Sequence, residues 1–341
     1  MKLKSKDIAN ILGVSPATVS LVLNNKPGIS EDTRQKIISY LEENGYNTSH
    51  LYQTEETAGK TIQFIIYKKH GKVVGDTPFF SELIESINRA AREDGYNLTI
   101  TYMDETKDNI PSLVDMIKKN NPAGLLILAT EMASEDINIF RGLGLPMLLL
   151  DSTFDNQDID TVCINNADGV YKAVDYFVKN GYKEIGYLHS NIWIYNFEQR
   201  MLRFKQYMSD LNLHLPKEHF FNLEPTVEGS YRDMTKLLKE RRDIPQAFFA
   251  DNDIIAFGAI RALKEAGIRI PDDIAVIGFD DTPYCELLVP KLTTIRVFKQ
   301  QVAVTAVNRL IECINHTANC IQKTYISTEL IVRDSVKNKL S

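Results

Sequence analysis

Cysteine is scarce in this chain: Cys163, Cys285, Cys313 and Cys320 are the only four in 341 residues, and no two form a C-x-x-C pair. That excludes a disulfide framework and a cysteine zinc site, and leaves the four as small buried hydrophobes. No run of about 18 consecutive apolar residues occurs, and the basic start MKLKSKDIAN is not followed by an apolar segment. Neither a membrane span nor a secretory leader is therefore expected, and the protein is placed in the cytoplasm. Absent as well are G-x-S-x-G, Walker A, H-E-x-x-H and G-x-G-x-x-G stretches, and the six histidines show neither metal-ligand spacing nor a candidate triad. No catalytic residue, metal or cofactor is expected.

Positive charge is short overall, with a net −6, which argues against a nucleic-acid binder over the whole surface. Its distribution is uneven. Residues 1–36 carry six basic groups against three acidic ones, a local +3 on an otherwise acidic chain. A small basic head on an acidic body keeps non-specific DNA affinity modest, because phosphate contacts supply most of it.

Residues 1–46 read as three short helices. Ile8, Ile11 and Leu12 recur at helical spacing before Gly13. SPATVSLVLN then offers Ser15 as N-cap and Pro16 at the first helical position, and SEDTRQKIISYLEENG starts at Ser30 with two acids in its first turn. Only a tight turn fits between the first two helices, the helix-turn-helix arrangement. On a helical wheel Val19, Val22 and Leu23 share the core-facing third; Ala17, Leu21 and Asn24 point outward, with Thr18 and Ser20 on the flanks. That outward face is nearly uncharged.

Residues 47–60, NTSHLYQTEETAGK, lose all periodicity and read as a polar linker. From Thr61 strands and amphipathic helices alternate, from TIQFIIY through PMLLLD and again from GVYKAVDYFVKNG to IAVIGFDD. Two β/α runs of about 100 residues imply two doubly wound parallel-sheet lobes with helices on both faces, and ligands in such lobes collect at the carboxyl ends of strands.

The segment DIANILGVSPATVSLVLNNKPGISEDTRQKIISYLEENGY resembles the head of the LacI/GalR transcription regulators, and DTPFFSELIESINRAAREDGYNL, ADNDIIAFGAIRALKEAGIRIPDDIAVIGFDD and PKLTTIRV resemble three further stations of that family. The resemblance covers nearly the whole chain. It implies an α/β protein with an N-terminal helix-turn-helix head, a hinge at 47–60, and a periplasmic-binding-protein-like core at 61–341. Lobe 1 is expected at about 61–161 plus 293–325 and lobe 2 at about 162–292 plus 326–341. It further implies a homodimer on a near-palindromic double-stranded operator, repressing transcription under allosteric control of a small effector, a sugar or polyol. A phosphoprotein co-regulator or a non-sugar ligand is the alternative, and a sugar-processing enzyme on the same core the distant one. By match to family positions Ser20, Asn24, Ser30 and Thr33 contact phosphates, while Pro16, Ala17 and Leu21 lie at base-reading positions and Thr18 beside them. Two departures stand out. Leu21 occupies a place where relatives commonly carry an Arg that reads guanine. The hinge has no Arg and holds Glu55 and Glu56, leaving Leu51 as the one candidate minor-groove wedge.

For the cleft, Phe79 and Phe80 in TPFF follow the first strand, where rings can stack on a sugar face or simply pack under the helix. Arg200 matches the family's effector-contacting Arg, a five-donor fork suited to hydroxyl or carboxylate oxygens. Asn252 and Asp280 directly follow buried strands, and an amide or carboxylate there can bridge vicinal hydroxyls. In ADND, Asp253 is the expected helix cap. Glu131 and Asp151 are further strand-end acids. Trp193, the only tryptophan, lies between a strand and Arg200 and is expected to roof the cleft or pack within its loop.

Overall fold

A computed structural model describes residues 5–23, 28–44, 48, 60–75, 78–240 and 244–340. The chain divides into two compact units, Met1–Thr61 and Ile62–Ser341.

Among the described residues the first unit holds three helices, α1 (Ser5–Leu12), α2 (Pro16–Leu23) and α3 (Glu31–Glu43). Gly13 turns the chain at φ +67°, and the Ser15 hydroxyl accepts the Thr18 N–H at 3.0 Å, capping α2 as its sequence suggests. Ile8, Ala9, Val19, Val22, Ile37, Ile38 and Leu41 form one small core. Ile11 does not join it: the side chain is 58% exposed, because Ala9, one residue after Ile8, takes the inward place instead. Ser30 stands at the N-cap of α3 but makes no side-chain cap bond; its hydroxyl pairs with that of Thr33 at 2.8 Å. Asn24 and all of the linker but Thr48 and Lys60 lie outside the described residues.

The second unit contains β1 (Thr61–Lys68), α4 (Pro78–Glu93), β2 (Asn97–Asp104), α5 (Ile110–Asn120), β3 (Gly124–Leu128), α6 (Asn138–Arg141), β4 (Met147–Leu150), β5 (Asp160–Ile164), α7 (Asn166–Lys179), β6 (Ile185–Ser190), α8 (Tyr195–Asp210), β7 (Phe220–Leu223), α9 (Val227–Glu240), β8 (Ala247–Ala250), α10 (Asp253–Glu265), β9 (Ala275–Asp280), β10 (Thr293–Val297), α11 (Lys299–Ile314), β11 (Lys323–Ile326) and β12 (Thr328–Ile331). They build two six-stranded sheets, ordered β11-β5-β4-β3-β1-β2 and β12-β10-β9-β8-β6-β7. The inner strands β1, β3, β4, β8 and β9 are buried on both faces, which is why they read as nearly unbroken hydrophobic runs. Along β1, for example, Phe64 and Ile66 enter one core and Ile65 and Tyr67 the opposite one.

The chain crosses between lobes after β5, after β10, and between β11 and β12. The expected boundaries are corrected in two places. Residues 162–164 belong to the first sheet, because β5 pairs with β4 and β11. Residues 293–297 belong to the second, because β10 pairs in parallel with β9 and antiparallel with β12. The return therefore begins only at α11, which packs on α4 and on strands β3, β4 and β5. Helices α9 and α10 approach closely at Gly258, where a Cβ would collide with the Ser230 hydroxyl and the Val227 carbonyl.

Candidate functional site

On the head, Pro16, Ala17, Ser20 and Leu21 form an exposed face of α2, while Val19 and Val22 are wholly buried. Thr18 is half-buried, its hydroxyl 2.8 Å from that of Ser15. The outward face is thus the weakly polar one that the wheel indicated.

In the core, a cavity of about 350 Å³ lies where strand ends of both lobes meet. Six of the eight cleft candidates line it: Phe79, Phe80, Asp151, Arg200, Asn252 and Asp280. Phe79 and Phe80 start α4 and meet edge to face, ring centroids 5.1 Å apart; both also belong to the core, so packing and lining are the same fact.

Asp151, just after β4, and Asp280, the last residue of β9, have φ of +69° and +112°, in the positive-φ region that few non-glycine residues adopt. Asp151 accepts from the Thr130 hydroxyl at 2.6 Å and from Asn196 Nδ2 at 2.8 Å. Arg200 is 2% exposed. Its Nε donates to Asn166 Oδ1 at 2.8 Å, its Nη1 donates to the Asp251 carbonyl, and its guanidinium carbon stacks 3.5 Å from the Phe279 ring centroid. Asn166 Nδ2 in turn donates to Asn196 Oδ1 at 2.7 Å. A relay from Arg200 through Asn166 and Asn196 to Asp151 therefore joins lobe 2 to lobe 1.

Arg200 Nη2 stands 3.7 Å from Asp280 Oδ1, too far for a hydrogen bond. Burial, opposed by the Arg200 charge and reinforced by Asp253, pushes the Asp280 carboxyl up to about 8, so at neutral pH it is a buried acid able to donate. Burial also raises Asp151, against the hydrogen bonds from Thr130 and Asn196 and the Arg200 charge. The cavity therefore offers one permanent cation, a donor–acceptor acid and the Asn252 amide beside three phenylalanine rings, Phe79, Phe80 and Phe197.

Three expectations are corrected. Glu131 does not reach the cavity: its buried carboxylate accepts four backbone N–H groups, from His70 and Gly71 at one oxygen and from Val73 and Val74 at the other, all within 3.0 Å. It thereby fixes loop 70–75, whose Gly71, Lys72, Val73 and Gly75 wall the cavity. Trp193 roofs nothing there; it is 52% exposed and faces a neighbouring pocket. The cap of α10 is Asn252, whose Oδ1 accepts the Ile255 N–H at 3.0 Å, whereas Asp253 is buried and holds Thr282 and Thr294. Capping uses the Asn252 oxygen and leaves its amide nitrogen for the cavity.

Sequence reasoning passed over Asn196, Thr130 and Phe197. Asn196 was within reach of a spacing argument, since it precedes Arg200 by four residues and so shares its helix face.

Two parallel-sheet lobes enclosing a polar and aromatic cavity, on a chain that also carries a helix-turn-helix unit, define a ligand-binding regulator of the DNA-binding kind. Residues 5–49 match the bacterial regulatory proteins of the lacI family, and residues 174–336 match the periplasmic binding protein-like domain. The chain is 31% identical to the HTH-type transcriptional repressor PurR of Mannheimia succiniciproducens, over 97% of this chain and 98% of that protein, and 31% identical to the PurR of Histophilus somni over the same shares. Among solved structures it resembles the lac repressor dimer bound to operator and the anti-inducer ONPF, with TM-score 0.77, 22% identity, and 99% and 100% of the two chains covered. The transcriptional regulator CelR in complex with cellobiose follows with TM-score 0.74, 20% identity, and 98% and 100% covered. The chain belongs to the LacI/GalR family of transcription regulators: it is a DNA-binding regulator and not an enzyme. Among the described residues no helix is long and apolar enough to cross a membrane.

Proposed function

We propose that this chain is a homodimeric transcriptional repressor of the cytoplasm whose two heads occupy the half-sites of a near-palindromic operator, controlled by a small neutral polyhydroxy effector in the interlobe cavity. The observation that carries the effector reading is the 350 Å³ cavity lined by Asp280 at the end of β9, Asn252 at the start of α10 and Arg200 within α8. That volume lies in the range of small-molecule sites. A protonated carboxyl both donates to and accepts from a hydroxyl, an amide nitrogen donates, and phenylalanine rings cover the C–H face of a sugar. Repression is supported by the named activity of the 31% identical relatives, and dimerisation by the operator-bound lac repressor dimer of the same fold. In the head, Ser20, Asn24, Ser30 and Thr33 would hold phosphates while Pro16, Ala17, Thr18 and Leu21 approach the bases. The effector favours one lobe arrangement and the operator another, so each changes the other's affinity by the same factor.

A planar nitrogen heterocycle is the second reading, favoured by the three phenylalanines in one cavity. Thermal-shift screening of the full chain against sugars, polyols and nucleobases separates the two, because a ligand that binds only the folded state raises the melting temperature. A shift with a sugar or polyol that disappears in Arg200→Ala supports the first reading; a shift with nucleobases alone overturns it.

A further inference from the structure

Beside the effector cavity, and wholly on lobe 2, the end of β6, residues 191–194, the start of α8 and strand β7 enclose a second pocket of about 330 Å³. Its outer wall is Trp193, half exposed and the chain's only tryptophan. Opposite lie His189, Glu198, Asn191 and Asn222. His189 is held from behind: its Nδ1 lies 2.8 Å from Asp251 Oδ2, and this fully buried carboxylate also accepts from the Tyr187 hydroxyl and the Ser190 N–H, each at 2.6 Å. With Nδ1 engaged, the ring presents Nε2 on its other side. The Glu198 carboxylate has no hydrogen-bond partner among the described residues.

We propose that this pocket is a second binding site, for a neutral sugar ring. An exposed indole covers the apolar face of a pyranose; a free carboxylate takes two vicinal hydroxyls, and amide and imidazole groups complete a hydroxyl-binding rim. The Glu198 charge disfavours phosphorylated or carboxylated sugars. The site communicates with the effector cavity along two paths. Phe197 lines both, and Arg200 donates to the carbonyl of Asp251, the residue whose carboxylate fixes His189. The proposal holds whether the main cavity takes a sugar or a heterocycle.

Because Trp193 is the only tryptophan and stands in the wall of this pocket, indole fluorescence of the full-length protein reports on it, and Asp280→Asn separates that signal from binding in the other cavity. Titration with methyl β-D-glucopyranoside should give a saturable change, and glucose 6-phosphate none. Glu198→Gln, in the pocket wall, should weaken the neutral sugar about tenfold, the loss expected for a hydrogen bond to a charged group. Asp280→Asn, in the other cavity, should leave the titration in place. No saturable change with the neutral sugar, equal response to both probes, or a signal abolished by Asp280→Asn and untouched by Glu198→Gln would each overturn the proposal.

Discussion

Raising the pH should destabilise the core through Asp280. The carboxyl has an ordinary value of 3.8 and stands at about 8 in the fold, so between these values the folded state holds a proton that the unfolded chain has released. Stability from such a group is complete at low pH and is lost as pH rises toward the folded value, by at most about 1.4 kcal/mol per unit for one proton. From about pH 6 to about pH 8 the loss integrates to about 2 kcal/mol, or roughly 4–8 °C in melting temperature for a unit of this size. Asp253, raised to about 6 by burial, titrates mainly below that window. His189 adds a slope of the same sign: burial opposes its charge, but the Asp251 hydrogen bond wins and raises it above the ordinary 6.5. The decisive readout is therefore the difference between wild type and Asp280→Asn, whose amide keeps the shape without the titration. Calorimetric melts of both proteins across this range should show the steeper decline only in the wild type. Parallel curves would refute the claim that Asp280 is a neutral acid in the ligand-free cavity.

Replacing Gly258 by Ala should cost about 1–3 kcal/mol, because the new methyl group meets the Ser230 hydroxyl and the Val227 carbonyl between α9 and α10; urea melts within about 0.5 kcal/mol of wild type would show that these helices separate freely. Ser15→Ala removes the cap that accepts the Thr18 N–H and should loosen α2 by about 1 kcal/mol, read as weaker operator binding with an unchanged melt of the core. Leu21, 36% exposed on the outward face of α2, can touch a thymine methyl but cannot read guanine; Leu21→Arg should move the preferred base under it from T toward G by about 1–3 kcal/mol. An unchanged base preference would show that this face does not enter the groove.

What the sequence makes legible follows from local rules. Val19 and Val22 go inward and Leu21 outward because a helix repeats every 3.6 residues. Asp151, Asn252 and Asp280 reach the cavity because they lie at or within two residues of the carboxyl ends of β4, β8 and β9, and strand ends are where the lobes meet. Position along the chain does not fix where a side chain points. Glu131 also follows a strand, one residue after Thr130, yet Thr130 lines the cavity while Glu131 turns to a loop about 60 residues earlier in the chain. Nothing near Glu131 in sequence signals those four N–H donors. The lobe boundaries failed for a similar reason: a five-residue run such as TTIRV pairs equally well with either sheet as written, and only its fit between β9 and β12 decides.

Whether the protein is a two-headed repressor reading a symmetric operator is decided by selecting bound sequences from random duplex DNA with the full-length protein. Enrichment of an inverted repeat with two equivalent half-sites is expected, since two-fold protein symmetry is mirrored in the operator. Enrichment of no sequence, or of a single unrepeated half-site, would contradict it.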